Sequence, residues 1–341
     1  MKRTIYIFSD GEIKRKGNTL YFENESGKKY IPVENCNEIL IFGEVSFNKK
    51  LLEFLSQHEI ILHYFSHYGY YMGSFYPREH YNSGYMIIKQ AEHYLDKNKR
   101  FNLAKKFVHG AIENMLKVLQ YYNRRGKNLE SYITSIEDLK GSMNEIKTNE
   151  EQDPIFQLMA VEGNIREIYY KSFNKIIENN DFKFETRSRR PPKSRINALI
   201  SFSNSLVYTV VLSEIYKTHL DPRVGYLHSS NFRRFSLNLD IAEVFKPIIG
   251  DRTIFSLINR RVLNHSMFLS ELSNEKVGGV VLNDKGRRVF IEEFDNRMKN
   301  TIKHKSLKRN VSYRQLILLE VYKVQKHLIG EKEYEPFVAQ W

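Results

Sequence analysis

Near Tyr85 the apolar residues of this chain change their repeat, and that change divides it in two. Before that point, residues 4–9, 20–22, 30–33, 38–42 and 60–65 are short runs rich in Ile, Tyr, Phe and Val, residue types that suit a pleated, half-buried surface. Gly17-Asn18 and Glu25-Ser26-Gly27-Lys28 separate them as turns, residues 47–56 read as a helix, and an aromatic stretch, Tyr70-Tyr71-Met72-Gly73-Ser74-Phe75, follows. Beyond Tyr85 the apolar spacing is close to 3.6 and stays there, as in amphipathic helices packed on a common core. The expected fold is therefore α+β: a small, mostly β domain over residues 1–85, then a larger all-helical domain over residues 86–341.

Within the second part, Ala104, Phe107, Val108, Ala111, Ile112, Met115, Leu116 and Leu119 define a long helix, ended by Asn123-Arg124-Arg125-Gly126. Residues 131–151 are polar and read as a loop with a short helix. Ile155, Leu158, Met159, Ile165, Ile168 and Tyr169 mark the next helix, and its apolar face includes Glu162. A carboxylate in that position is costly unless it is paired or binds a metal. A helix over residues 196–218 brings Leu199, Ile200, Leu206, Val207, Val210 and Val211 to the core; the final helix runs over residues 313–330, and residues 331–341 read as a tail.

A histidine then leaves a loop at Gly225-Tyr226-Leu227-His228, and two carboxylates follow on a short helix. At about 100° per residue, Leu237, Ile241, Val244, Phe245 and Ile248 share one side, with Asp240 and Glu243 along its border as i, i+3 neighbours. Ser236 is the expected N-cap, and Pro247 should end or kink the helix at the residue before it. Two such acids repel and resist desolvation unless a cation, a base or a hydrogen-bond network compensates. Spacing alone leaves two readings: a cation-ligand set, or a solvated acidic edge beside a core histidine, since no closed motif such as H-E-x-x-H is present. His63 and His67 are also four apart, but on a strand and turn that spacing does not place them on one face as a helix would.

Charge and composition limit the partners. The net charge of +13 favours polyanions, and 22 Tyr with 22 Phe would allow stacking on exposed bases, although most of these rings belong in the core. The run Arg187-Ser188-Arg189-Arg190-Pro191-Pro192-Lys193-Ser194-Arg195 sets five positive charges around a proline pair that forbids helix, a stiff basic loop suited to phosphate or simply to solvent. Further basic patches lie at residues 285–288 and 303–309. A single cysteine, Cys36, excludes an internal disulfide and a cysteine-cage zinc site, and reads as a small buried residue. No uncharged apolar run approaches the roughly 18 residues of a membrane span, and the N-terminus enters strand pattern at once, which suggests the cytoplasm.

Three phrases in order carry a family resemblance: Ala160-Val161-Glu162-Gly163; Arg190-Pro191-Pro192 running into Asn197-Ala198-Leu199; and Gly225-Tyr226-Leu227-His228 through Asp240-Ile241-Ala242-Glu243-Val244-Phe245-Lys246-Pro247. Together with Ser312-Tyr313-Arg314-Gln315-Leu316 they make the chain resemble, over essentially its whole length, the CRISPR-associated adaptation integrase, the catalytic protein of spacer acquisition. Its general likeness is to type I systems. The layout of a β-rich domain before a helical one also matches. Lys246 stands where an arginine is more usual.

The resemblance implies an endonuclease and integrase that joins a 3′-hydroxyl of a short foreign fragment to a phosphodiester of the CRISPR repeat. It implies Glu162, His228 and Glu243 as ligands of Mg²⁺ or Mn²⁺, with Asp240 and His228 as catalytic groups, Asp240 orienting His228 or a metal-bound water. Arg189, Arg190, Lys193 and Arg195 would hold double-stranded DNA, with Arg233 and Arg234 near the scissile phosphate. It further implies a homodimer formed through the β domain, and a small ferredoxin-like partner protein. Two other readings stay open: a metal-dependent nuclease that resolves branched DNA, and a non-catalytic DNA-binding scaffold.

Overall fold

The computed structural model describes residues 3–78, 81, 83–146, 153–228, 235–269, 279–304 and 306–340. Two compact units emerge: Met1–Asn82 with Leu282–Asp284, and Ser83–Val281 with Lys285–Trp341.

In the first unit, β1 (Arg3–Ile7), β5 (Cys36–Ile41), β7 (Ile61–Phe65) and β8 (Tyr71–Phe75) form one sheet in the order β1-β5-β7-β8. Its first three strands are parallel and β8 is antiparallel. A second sheet has the order β4-β3-β2-β6, from β2 (Gly11–Lys16), β3 (Thr19–Asn24), β4 (Gly27–Ile31) and β6 (Val45–Ser46). Strand β2 escapes a search for apolar runs because only Ile13 in Gly11–Lys16 is apolar; its pairing with β3, Ile13 opposite Phe22, supplies what its own pattern lacks. Helix α1 (Lys49–Gln57) starts where the Asn48 side chain accepts the Leu51 N–H at 3.2 Å, and sends Leu51, Phe54 and Leu55 into the core formed with Ile13, Leu20, Ile31, Ile39, Ile41 and Leu62. Cys36 is buried there, its thiol donating to Glu38 O at 3.7 Å. His63 is fully buried, with Nδ1 2.6 Å from Ser74 Oγ, whereas His67 is exposed, so their spacing brings them to no common face.

The second unit is built of α2 (Gly84–Leu95), α3 (Lys97–Asn123), α4 (Glu130–Ser142), α5 (Pro154–Ile176), α6 (Arg195–Ile215), α7 (Leu237–Phe245), α8 (Arg252–Asn259), α9 (Asp284–Lys299) and α10 (Tyr313–Leu328). Helix is not its only element: Thr301–His304 pairs antiparallel with Arg309–Ser312, Ile302 opposite Val311. Those segments read as a basic patch in the sequence because their few apolar residues show no helical repeat. Helix α6 is long and apolar enough to cross a membrane by length and composition, but 78% of that window is buried inside the protein, so its apolarity serves the core. Helix α7 packs against both α3 and α6. Pro247 has the expected effect: α7 stops at Phe245 and a π-helical segment, Lys246–Asp251, carries the chain into α8.

The C-terminal segment is not a loose tail. Asn114, buried in the middle of α3, donates to Val244 O and Phe337 O and accepts from Ala339 N, each at 2.8 Å. Tyr334 is fully buried, its hydroxyl donating to Glu320 Oε1 at 2.7 Å, and the same oxygen accepts from Phe337 N at 2.8 Å. Periodicity cannot reveal such a strap, because its contacts depend on hydrogen bonds to distant helices. Replacing Asn114 by Ala orphans two carbonyls and an N–H together, and is expected to cost about 2–4 kcal/mol, read as a lower urea midpoint.

Candidate metal and nucleic-acid site

The histidine loop is shaped by the first residues of α7. Ser236 does not cap that helix with its side chain; its Oγ accepts from Gly225 N at 2.9 Å and donates to Arg223 O at 2.7 Å. Gly225 passes so close that a Cβ there would stand 2.8 Å from Ser236 Cβ, which is why this position has no side chain. Asp240, fully buried, then gathers the loop: Oδ2 accepts from Tyr226 N at 2.5 Å and Leu227 N at 3.1 Å, and Oδ1 from His228 N at 2.9 Å. The same Oδ1 lies 2.8 Å from His228 Nδ1. A carboxylate in that position selects the tautomer with the proton on Nδ1 and leaves the Nε2 lone pair free.

Nε2 faces Glu243, 4.0 Å from its Oε1. Glu243 is itself buried and doubly paired: Oε1 with Lys246 Nζ, and Oε2 with Arg166 Nη2 at 2.5 Å. Arg166, one turn beyond Glu162 on α5, also pairs through Nε with Glu162 Oε1. Burial alone would raise the Glu243 carboxyl, but Arg166 and Lys246 override it and hold it down at about 2. Lys246, buried among these groups and 4.7 Å from the centre of the Tyr208 ring, is held charged by Glu243 against its own desolvation. Both acids at the border of α7 are thus satisfied separately, Asp240 by N–H donors and Glu243 by cations.

The sequence-predicted residues Glu162, His228, Asp240 and Glu243 therefore meet in one cluster. Among the described residues, however, no three His, Cys, Asp or Glu side chains stand together as a ready-made cation cage. The ion pairs show why: the guanidinium of Arg166 lies between Glu162 and Glu243. By donor chemistry the set fits a divalent cation: the carboxylates of Glu162 and Glu243, and an imidazole whose free lone pair faces the second of them. Sequence reading passed over Arg166 and Asp251. Arg166 had a signal, four residues after Glu162, where one helical turn brings an arginine back to a carboxylate.

Asp251 closes the π-helical segment and is buried beside this cluster. Burial pushes its carboxyl up to about 7, a rise that Arg166 and Lys246 only moderate. A folded-state value above the unfolded one means stability present at low pH and lost as pH rises from 3.8 to about 7. The metal-free protein should lose on the order of 4 kcal/mol through this group across that window, and Asp251→Asn should remove that part of the slope when urea midpoints at pH 5 and pH 8 are compared.

The basic loop before α6 divides by role. Arg187 is turned inward, its Nη1 3.0 Å from Asn197 Oδ1 and Nη2 2.9 Å from Ser201 Oγ. Burial lowers its pKa, and it lies in the field of Tyr170, Tyr208 and Asp251, so the root of the loop adjoins the acid cluster. Arg189, Arg190 and Lys193 are exposed, while Arg195 pairs with Asp181, Nη1 to Oδ1 at 3.6 Å. Arg233 and Arg234 lie outside the described residues. In the patch at 285–288, Arg287 is buried and belongs to the core of its helix.

A β-rich unit, a helical unit and an acid–histidine cluster on α5 and α7 now stand beside what is known of other proteins. The profile of the family described as CRISPR associated protein Cas1 matches residues 5–296. Over 341 residues, 100% of both chains, the sequence is 62% identical to the protein named CRISPR-associated endonuclease Cas1 2 of Thermodesulfovibrio yellowstonii. The solved structure of a Cas1 protein from Thermotoga maritima aligns at TM-score 0.85 and 46% identity, over 98% of this chain and 99% of that one. A casposase bound to integration product shares the fold at TM-score 0.83 and 20% identity, over 99% of this chain and 93% of that one. Fold and sequence together define an enzyme of the CRISPR-associated endonuclease class. Within that class the chain belongs to the Cas1 family.

Proposed function

We propose that this chain inserts short foreign DNA fragments into a CRISPR array by transesterification, with Glu162, His228 and Glu243 as ligands of Mg²⁺ or Mn²⁺. The observation that carries this reading is the Asp240–His228 contact, which turns a free Nε2 lone pair toward a carboxylate that is ionised despite its burial. The bound cation would supply Lewis-acid stabilisation of charge on the phosphoryl oxygens. The chain's own residues do the rest. Asp240 has its donors around it already and acts as a positioning residue, locking the His228 tautomer and the loop that carries it. Arg189, Arg190 and Lys193, on a loop rooted beside the cluster, neutralise DNA backbone phosphates together with Arg195, and Arg233 and Arg234, close to His228 in sequence, act near the scissile phosphate. In the reaction the 3′-oxygen forms a bond to phosphorus and its proton passes to solvent, while the repeat's bridging P–O bond breaks and the leaving 3′-oxygen keeps the electron pair and takes a proton from solvent, so that one hydroxyl is consumed and one released.

Two joinings per fragment require two sites at a fixed separation, which favours a homodimer formed through the β unit, with a small ferredoxin-like partner protein bridging two such dimers. A labelled fragment offered with a supercoiled repeat-bearing plasmid tests the reaction. Joined product is the expected result; cleavage of branched or linear DNA with no joining under any condition would make the chain a nuclease instead.

A further inference from the structure

The acid cluster holds two side-chain cations, and they differ in one respect. Lys246 is fixed, its ammonium on Glu243 and above the Tyr208 ring. Arg166 is engaged on one side only. Nε and Nη2 serve Glu162 and Glu243, while Nη1 is buried with no hydrogen-bond partner. A buried guanidinium N–H without an acceptor is costly and calls for a reason.

Tyr169 and Asp251 belong to the surroundings of that guanidinium. Tyr169 follows Arg166 by three residues on α5, and its buried hydroxyl interacts with the Asp251 carboxyl. Asp251 Oδ2 is buried and unpaired as well, and its carboxyl lies in the field of Arg166. A buried donor on Arg166 and a buried carboxylate oxygen on Asp251, each without a hydrogen-bond partner, thus belong to one neighbourhood, with the Tyr169 hydroxyl beside that carboxyl. Charge completes the argument. Glu162 and Glu243 are already neutralised by Arg166 and Lys246, so a divalent cation arriving between them would raise the local charge to +4 against two carboxylates. Repulsion among cations a few ångströms apart in a buried site is large, and one must withdraw. Of the two, Arg166 has a buried carboxylate to withdraw to.

Resting on the cation-site reading above, we propose that Arg166 is a movable resident counter-ion: as a divalent cation enters between Glu162, His228 and Glu243, the guanidinium moves onto Asp251 and Tyr169. Asp251 is then a positioning residue for cation uptake, although it touches neither cation nor DNA. The site exchanges one counter-ion for another, and the carboxylates are never left bare. Affinity for the cation depends on how well the displaced arginine is received.

The test is a Mn²⁺ titration of the full chain at pH 8, followed by electron paramagnetic resonance, on wild type, Asp251→Asn, Arg166→Met and the double variant. Asp251→Asn should weaken Mn²⁺ binding about tenfold when Arg166 is present and leave it unchanged in Arg166→Met, the pattern of a direct coupling. Tyr169→Phe, which removes only the hydroxyl, should weaken binding a few-fold, and it keeps the proposal testable should Arg166→Met not fold. Unchanged Mn²⁺ affinity in Asp251→Asn and Tyr169→Phe, or an equal loss from Asp251→Asn with and without Arg166, overturns the displacement while leaving the cation site standing. A wild-type chain that takes up no Mn²⁺ overturns both.

Discussion

Glu243→Gln is expected to abolish strand joining, a fall of about a thousandfold or more, and to weaken the fold at the same time. The two effects have separate origins. Joining fails because one ligand carboxylate is gone and His228 Nε2 loses the acid it faces at 4.0 Å. Stability falls because Arg166 and Lys246 are both buried on Glu243, and removing the shared counter-ion of a buried pair typically costs about 3–5 kcal/mol. Joining gels and urea denaturation on one preparation separate them. A variant that denatures like wild type would show that Glu243 is not the anchor of those two cations.

The second large effect belongs to Asp240→Asn. The substitution keeps the volume but replaces an oxygen that accepts N–H groups by an amide that donates. Tyr226 N, Leu227 N, His228 N and His228 Nδ1 all converge on this carboxylate, so at least one buried donor is left facing another. A stability loss of about 2–4 kcal/mol is expected, with joining reduced about 10- to 100-fold, as when an outer partner of a ligating histidine is removed. The histidine should also lose its fixed tautomer, visible in the ring ¹⁵N shifts of His228. Unchanged ring shifts in the Asp240→Asn variant would assign the tautomer to some other contact.

How much of this was legible in the residues depends on the range of the interaction. The two-part architecture could be read because apolar patterning is local: the short β-type runs before Tyr85 form strands and the 3.6 repeat after it forms helices. Strand β2 was not, since one buried Ile13 among charged neighbours gives no alternation, and its register comes from β3. Pro247 marks the interruption by its own chemistry, but that the chain continues through a π-helical segment into α8 is a matter of packing. Ser236 has the right identity for an N-cap and a different role, because Gly225 passes close enough to claim its hydroxyl.

The acid cluster follows the same division. Glu162 on an apolar face and the Asp240–Glu243 pair announced that partners were needed. Two of those partners, Arg166 at i+4 from Glu162 and Lys246 at i+3 from Glu243, lay at helical spacing in the sequence. The backbone N–H groups that compensate Asp240 carry no sequence signature, because any residue supplies them. Asp251 was silent for another reason: its burial depends on the path of the chain after Pro247.

The central claim is that Glu162, His228 and Glu243 take up one divalent cation, and Mn²⁺ binding reads it without the complications of DNA. Electron paramagnetic resonance titration of wild type should show one tight Mn²⁺ per chain, with a spectrum broadened by directly coordinated imidazole nitrogen, and His228→Ala and Glu162→Gln should each lose that site. Stoichiometric Mn²⁺ binding that persists in both variants would place the cation elsewhere and contradict the account.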